Sequence, residues 1–264
     1  MAVKIFNEFK ENLKKGLPVA LATIIEGPGQ GAKLLLLPDG SYLGSLGNEK
    51  IDNVLSRDMA GELAAGRTSI RHYGIEGEAR EETLSIFIES FAPPPQMVIF
   101  GAVDFTAALV RIAKVLGYKV IVCDARPVFA TKARFPQADS VENEWPDQLM
   151  EKLGTSLGPR DAVCVLTHDN KFDVPAITSA LRTQVGYIGV MGSRKTHENR
   201  TERLIEAGVT TKEFERVMSP IGLDLGARTP EETAISICAE IIAMRTGRKA
   251  PHLKTIEGAI HGDR

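Results

Sequence analysis

Four short segments of polar or small residues, called polar segments below, each follow an apolar run after residue 96 of the chain. They are residues 101–104, 124–127, 167–170 and 192–195. If the apolar runs are strands of one parallel sheet, the polar segments meet at its carboxyl edge. Ligands of open α/β sheets bind outside that edge. We therefore expect the binding chemistry of this chain to lie there.

The first two segments resemble the start of a dinucleotide-binding unit. Residues 97–116 read as strand, tight turn and helix, and Asp124 ends the next apolar run. Of the three glycines of G-x-G-x-x-G only Gly101 is present, and a side chain at Val103 obstructs close approach of a pyrophosphate. Asp124 is a candidate ribose acceptor and Arg126 a candidate phosphate contact. The alternative is a loop acid with a solvated arginine.

The fourth segment follows an apolar strand and opens a helix. Backbone N–H groups at a helix N-terminus, together with two cations, favour an anion. An ordinary N-cap serine followed by exposed charges would give the same pattern. The residues are Gly192, Ser193, Arg194 and Lys195.

A second candidate for anion binding is the glycine-punctuated loop of residues 219–228. Arg228 lies beside the helix that we predict from Pro230, with Thr229 as N-cap and Glu232 completing a capping box. A phosphate could dock there. The alternative is that Arg228 pairs with Asp224.

His168, beside Asp169 and close to Asp173, suggests a metal ligand or a general base. The spacing fits no established metal pattern, and no nucleophile elbow is present. Polar capping is the favoured interpretation, and we predict neither a metal ligand nor a catalytic residue.

The composition is that of a globular protein with no nucleic-acid bias. The chain has 264 residues, 43% hydrophobic and 25% charged, with a net charge of −2. No apolar stretch approaches the roughly 20 residues of a membrane span, and the N-terminus lacks a signal-peptide pattern. Three cysteines in apolar runs, Cys123, Cys164 and Cys238, suit a reducing cytoplasm.

Two domains are predicted on either side of a proline-rich linker at residues 92–96. Residues 1–91 read as a small α+β domain, with a helix near the start, strands at 19–25, 33–37 and 84–90, and a helix at 48–63. Residues 97–264 alternate strands and helices, which indicates a Rossmann-like parallel sheet. The fold class is thus α/β. The apolar helix after Pro230 should be buried on the sheet or against a partner protomer.

The second domain resembles the XdhC/CoxI family of xanthine dehydrogenase accessory factors. The most specific motif is Ser219-Pro220-Ile221-Gly222-Leu223-Asp224, followed by residues 226–232. Further similar segments are residues 100–102, 116–127, 134–136, 167–169, 187–189 and 192–194. The first domain is similar more loosely, through residues 18–23 and 31–33. Where many family members have Gly-Ala-Gly-His, this chain has Gly-Ala-Val-Asp at 101–104.

The resemblance implies a cytoplasmic accessory protein that binds molybdenum cofactor (molybdopterin), presents it for sulfuration and inserts it. The client would be a molybdenum hydroxylase of the xanthine or carbon monoxide dehydrogenase type. A cysteine desulfurase would be a further partner, and the protein would be a homodimer. An NAD(P)-dependent oxidoreductase and a non-catalytic Rossmann-like interaction scaffold remain alternatives.

On this interpretation the cationic strand ends hold the phosphorylated pterin. Ser193, Arg194, Lys195 and Arg228 would contact the anion, and His168 and Asp224 would orient the ligand. The full predicted set of cofactor contacts is Gly101, Asp124, Arg126, His168, Gly192, Ser193, Arg194, Lys195, Asp224 and Arg228.

Overall fold

The computed structural model describes residues 2–78, 83–167 and 169–257 and divides into two compact units, Met1–Pro94 and Pro95–Arg264. The first unit is α+β and the second contains a parallel sheet. The predicted fold class is confirmed.

The first unit is built on a five-stranded antiparallel sheet in the order β3-β2-β1-β5-β4. Its elements are α1 (Ala2–Lys14), β1 (Val19–Glu26), β2 (Lys33–Leu36), β3 (Tyr42–Ser45), α2 (Glu49–Ala65), β4 (Ser69–Tyr73) and β5 (Leu84–Phe91). Alternate residues of β1 pack against α2, as period-two patterning requires. Helix α2 begins at a side-chain cap, where Asn48 accepts from the N–H groups of Lys50 and Ile51.

The second unit is built on a six-stranded sheet in the order β11-β10-β9-β6-β7-β8, with every pair parallel. Its elements are β6 (Gln96–Phe100), α3 (Asp104–Val115), β7 (Lys119–Cys123), β8 (Ser140–Glu142), α4 (Pro146–Leu153), β9 (Ala162–Val165), α5 (Asn170–Leu181), β10 (Tyr187–Val190), α6 (Arg194–Glu206), α7 (Thr211–Phe214), β11 (Val217–Met218) and α8 (Pro230–Thr246). This is the strand order of a dinucleotide-binding fold, with its reversal between β6 and β9.

Helices cover both faces of this sheet. Met97 and Ile99 of β6 pack on the face covered by α3 and α8. Val98 and Phe100 face the opposite core, which α4 and α5 help to form. A strand buried on both faces reads as a continuous apolar run, which is why the sequence revealed it.

Helix α8 packs against α3 and the sheet through its buried side chains, which include Ile237 and Ile241. Its start follows the predicted signals: Thr229 and Glu232 form a capping box and Pro230 occupies the first turn. Ile235 on the outer side remains 50% exposed. The homodimer stays a prediction.

In the described part of the chain, no helix is both long enough and apolar enough to cross a membrane.

Candidate functional site

The carboxyl ends of β6 and β9 meet where the strand order reverses. Gly101 follows β6 with a φ of +109°, and a Cβ built on it would lie 2.7 Å from Cγ2 of Thr167. A side chain at position 101 would therefore collide with the strand end next to it. Because position 101 is a glycine, the ends of β6 and β9 can lie in contact at the carboxyl edge of the sheet.

Asp124, predicted as a ribose acceptor, binds groups of the protein itself. Its carboxylate accepts from the Ala102 N–H at 2.8 Å and from the Arg126 N–H at 2.9 Å. The Arg126 guanidinium adds Nε at 2.9 Å and Nη2 at 2.8 Å. Burial raises the pKa of Asp124, but the hydrogen bonds from Arg126 and Ala102 lower it more, so the pKa lies below its ordinary value.

The dinucleotide alternative thus loses the groups on which it relied. The Ala102 N–H that would face a pyrophosphate donates to Asp124, and both oxygens of Asp124 are in use. Asp104 in the first turn of α3 is 92% exposed and places a negative charge where the phosphate would dock. These contacts give NAD(P) no support.

A buried ion pair underlies the ends of β9 and β10. Arg200 of α6 and Asp173 of α5 each have side chains only 1% exposed, and they meet at 2.8 Å. Asp173 also accepts from the Thr167 hydroxyl. Arg200 donates to the Met191 carbonyl at 2.9 Å and reaches the Ser219 hydroxyl at 3.4 Å. One guanidinium therefore links the ends of three strands.

Sequence reasoning missed Arg200, because an arginine within a helix is ordinarily solvated. One signal was available. Thr196, Arg200 and Leu204 recur at four-residue spacing, which places them on one face of α6. Leu204 is fully buried in the core, so that face points inward.

The turn before α6 lies against this ion pair. A Cβ on Gly192 would lie 3.4 Å from Nη2 of Arg200, and Ser193 caps α6 by accepting from the Thr196 N–H at 3.2 Å. Arg194 and Lys195 lie in the first turn of α6, and the structure describes only the backbone of these two residues. Their roles as anion contacts stay predictions.

α6 differs from its neighbours in the charge of its first turn. The other helices labelled in the second unit, α3, α4, α5, α7 and α8, all have an acidic residue there, and α6 has none. A first turn without acids leaves the positive end of the helix dipole uncompensated. This is the end at which an anion is best stabilised.

The loop between β11 and α8 lies beside the end of β10, since the Ile221 N–H donates to the Val190 carbonyl at 3.1 Å. Asp224 and Arg228 are both exposed on it. Within the described ranges no ion pair joins them, and the Arg228 N–H donates to Glu232 at 2.7 Å. The side chain of Arg228 is thus not held by Asp224.

The metal interpretation has no support in the described ranges, which contain no group of three or more His, Cys, Asp or Glu residues placed to hold an ion. His168 lies outside the described residues. Asp169 caps α5 by accepting from the Lys171 N–H at 3.0 Å.

All three cysteines are free and buried. Burial raises the pKa of the Cys123 thiol to about 12 and that of Cys238 to about 12. The pKa of Cys164 also lies well above its ordinary value, again because of burial. The thiols therefore stay protonated at neutral pH and are poor nucleophiles.

Comparison with protein families adds two matches. The XdhC Rossmann domain matches residues 97–241, and the XdhC and CoxI family profile matches residues 13–74. Together they cover most of the chain.

Three curated proteins are similar in sequence. A probable xanthine dehydrogenase subunit of Bacillus subtilis (strain 168) is 36% identical over 62% of this chain and 47% of its own length. The Uncharacterized protein YqeB of Escherichia coli (strain K12) is 24% identical over 92% of this chain and 46% of its own length. The Molybdenum cofactor insertion chaperone PaoD, also of Escherichia coli (strain K12), is 25% identical over 61% of this chain and 44% of its own length. The chain thus spans about half the length of these relatives.

Solved structures also match most of the chain, and one of them illustrates the likeness. It is described as a xanthine dehydrogenase from Bacillus halodurans, and it matches with a TM-score of 0.55 and 22% identity over 93% of this chain and 97% of that one. At this identity the match establishes the shared fold.

Proposed function

Because this chain belongs to the XdhC and CoxI family, we propose that it is an accessory protein for molybdenum enzymes that binds molybdenum cofactor and assists its insertion. The relative named as a molybdenum cofactor insertion chaperone supports molybdenum cofactor as the molecule that this chain binds, its cargo. The relative named as part of a xanthine dehydrogenase supports a molybdenum hydroxylase as the client. The finer role includes sulfuration of the bound cofactor by a cysteine desulfurase and insertion into an enzyme of the xanthine or carbon monoxide dehydrogenase type. The protein acts as a cytoplasmic homodimer.

The observation that carries the proposal is the arrangement at the ends of β9, β10 and β11. The cofactor is a phosphorylated pterin, so its holder needs a site for an anion. The first turn of α6 contains Arg194 and Lys195 and no acid. Below it, Arg200 fixes the Met191 carbonyl, and through it the turn that aims the backbone N–H groups of α6.

The residues divide the work between binding and positioning. Ser193, Arg194 and Lys195 hold the phosphate at the positive end of α6, and Arg228 adds a cation from the neighbouring loop. Gly101, which has no side chain, leaves room for the ligand at the carboxyl ends of β6 and β9. Cationic side chains and helix N–H groups bind phosphate without chemical change, which suits a protein that must later release its cargo.

The test is retention of pterin by protein purified from a host that makes molybdenum cofactor. The double variant Arg194→Ala/Lys195→Ala should retain about one tenth of the pterin that the wild type retains, or less. The reason is that one hydrogen bond to a charged group contributes roughly 1.5–3 kcal/mol. Pterin is released by oxidative denaturation and measured by its fluorescence per mole of protein.

The chain contains a matched control in Arg248 and Lys249, a second Arg-Lys pair. It follows Gly247, the C-cap of α8. This helix of 17 residues is about 25 Å long at 1.5 Å per residue. Because α8 starts at the carboxyl edge, the second pair lies at the far end of the unit. Arg248→Ala/Lys249→Ala should retain pterin like the wild type. Equal retention by the two double variants, or a wild type free of pterin, would contradict the proposal.

A further inference from the structure

A row of aromatic rings and a guanidinium crosses the carboxyl edge on the β7 side of the sheet. The Arg126 guanidinium lies 4.6 Å from the ring centroid of Phe129 and 6.0 Å from that of Phe172. Phe172 stacks on Trp145, with centroids 4.8 Å apart and planes at 27°. We call Phe129, Arg126, Phe172 and Trp145 the stacking row. The anion site at α6 does not include these residues.

One end of the row is fixed and the other is open. Arg126 is held by both oxygens of Asp124. Phe129 contacts a second guanidinium, that of Arg134, at 5.5 Å, and Arg134 donates to the Ala102 carbonyl at 2.9 Å. At the opposite end Trp145 contacts Phe172 and is still 43% exposed.

An exposed indole on a rigid base is a stacking surface for a planar ring. Aromatic side chains bind heteroaromatic rings through their faces and tolerate many ring types. The site of Trp145 also fits a ligand of the carboxyl edge, because it lies in the segment that connects the end of β8 to the start of α4. Asn143 ties this segment to the neighbouring strand end by donating to the Asp124 carbonyl at 2.8 Å.

The residue before Trp145 carries an acceptor that the described part of the protein leaves unsatisfied. Oε1 of Glu144 pairs with Lys152, but Oε2 is buried without a hydrogen-bond partner. A buried acceptor without a donor costs free energy. The Glu144 side chain is 22% exposed as a whole, so rotation of its carboxylate toward solvent would let Oε2 accept from a ligand that supplies N–H groups. A carboxylate matches a ring edge with adjacent N–H donors.

We propose that Trp145 stacks on the planar ring of a fused 2-amino-4-oxopyrimidine, and that Glu144 accepts hydrogen bonds from the N–H edge of that ring. Pterins and guanine share this ring. The inference deepens the proposed function and rests on it for the pterin as the natural ligand. The start of α6 would then bind the phosphate of the ligand, and Trp145 would bind its ring.

Trp145 reports on its own site, because it is the one tryptophan of the chain. Stacking should quench its emission. Wild-type protein without bound pterin is titrated with pterin, guanosine monophosphate and adenosine monophosphate, and each titration is corrected for ligand absorbance with free N-acetyltryptophanamide. We expect saturable quenching by pterin, by guanosine monophosphate or by both, and none by adenosine monophosphate.

The ligands separate the sources of the ring. Quenching by pterin alone identifies a pterin site, and quenching by guanosine monophosphate alone identifies a nucleotide site built on the same ring chemistry. Equal quenching by adenosine monophosphate would overturn the role of Glu144. No quenching by any of the three would overturn the whole proposal.

Variants of Trp145 test the same binding site by a method that does not depend on fluorescence. By equilibrium dialysis, Trp145→Leu should bind the quenching ligand about tenfold more weakly, within the range for base-on-aromatic stacking. Trp145→Phe should retain most of the affinity, since it keeps an aromatic face. Equal affinities for the Leu and Phe variants would refute stacking. Thermal melting shows that each variant is folded.

Failure of this inference is distinguishable from failure of the proposed function. If the wild type retains pterin in the cell and Trp145→Leu retains as much, the stacking site is wrong and the cargo stands. If the wild type carries no pterin but guanosine monophosphate quenches Trp145, the ring site stands and the cargo is wrong.

Discussion

Replacing Arg200 with methionine should destabilise the second unit by about 4 kcal/mol. Methionine has similar length and no charge, so the change removes the Arg200 cation from the buried Asp173 carboxylate. Breaking a buried pair by removing one partner costs about 3–5 kcal/mol. The Met191 carbonyl also loses its donor, which adds about 1 kcal/mol. Partial relaxation offsets some of this sum.

The assay is urea unfolding followed by the emission of Trp145, which lies in the second unit and therefore reports on that unit. Arg216→Met is the matched control. Arg216 donates to the carbonyls of Leu181, Thr183 and Val185 at 2.9, 3.2 and 3.0 Å, and it is exposed. Water can replace those hydrogen bonds, so this variant should lose only about 1 kcal/mol.

A double-mutant cycle isolates the ion pair. Asp173→Asn should also destabilise the unit. Arg200→Met/Asp173→Asn should be less destabilised than the sum of the single variants by at least about 2 kcal/mol, because both charges of the buried pair are then removed together. Additive effects, or an Arg200→Met loss no greater than that of Arg216→Met, would refute the reasoning that this pair organises the strand ends.

Two further predictions concern the turn after β6. Gly101→Ala should destabilise the second unit by about 1–3 kcal/mol through backbone strain, and by more through overlap with Thr167. Gly117 also has a positive φ, at +81°, but a Cβ there would meet nothing within 4 Å. The stability lost by Gly117→Ala in urea unfolding should therefore be smaller and should measure backbone strain alone. A loss of stability equal to that of Gly101→Ala would show that overlap with Thr167 is unimportant. The lowered pKa of Asp124 should stabilise the fold above the unfolded value of about 3.9, and that stabilisation is lost as pH falls through the lower folded value. The stability gap between wild type and Asp124→Asn should therefore shrink as pH drops below about 4; a constant gap would mean that Arg126 does not stabilise the charged form.

The parts of the fold that the sequence predicted are those with strong local signals. Buried parallel strands read as apolar runs, and α8 has its cap, proline and capping box in sequence order. Strand β4 escaped notice because Ser69–Tyr73 is mostly polar and half exposed. Strand β11 has two residues and is defined by its pairing with β10, which no local pattern encodes.

The sequence predicted which residues follow the strands of the second unit better than it predicted their contacts. Gly101 and Asp124 do follow β6 and β7, because the ends of apolar runs mark strand ends. The partner of Asp124 was missed, since Arg126 competes with any ligand for the same carboxylate from two residues away. The ion pair of Asp173 and Arg200 joins two helices, and only the fold brings them together.

The burial of the three thiols constrains how sulfur could travel during maturation. A protein that relays sulfur carries it as a persulfide on an accessible thiolate, and here Cys123, Cys164 and Cys238 are buried and protonated. On the proposed function, this chain would then act as a holder during sulfur transfer, and the donor protein would deliver its sulfur directly to the bound cofactor. If both proposals hold, the carboxyl edge would bind the phosphate and the ring of the cofactor and leave its metal end open to a second protein.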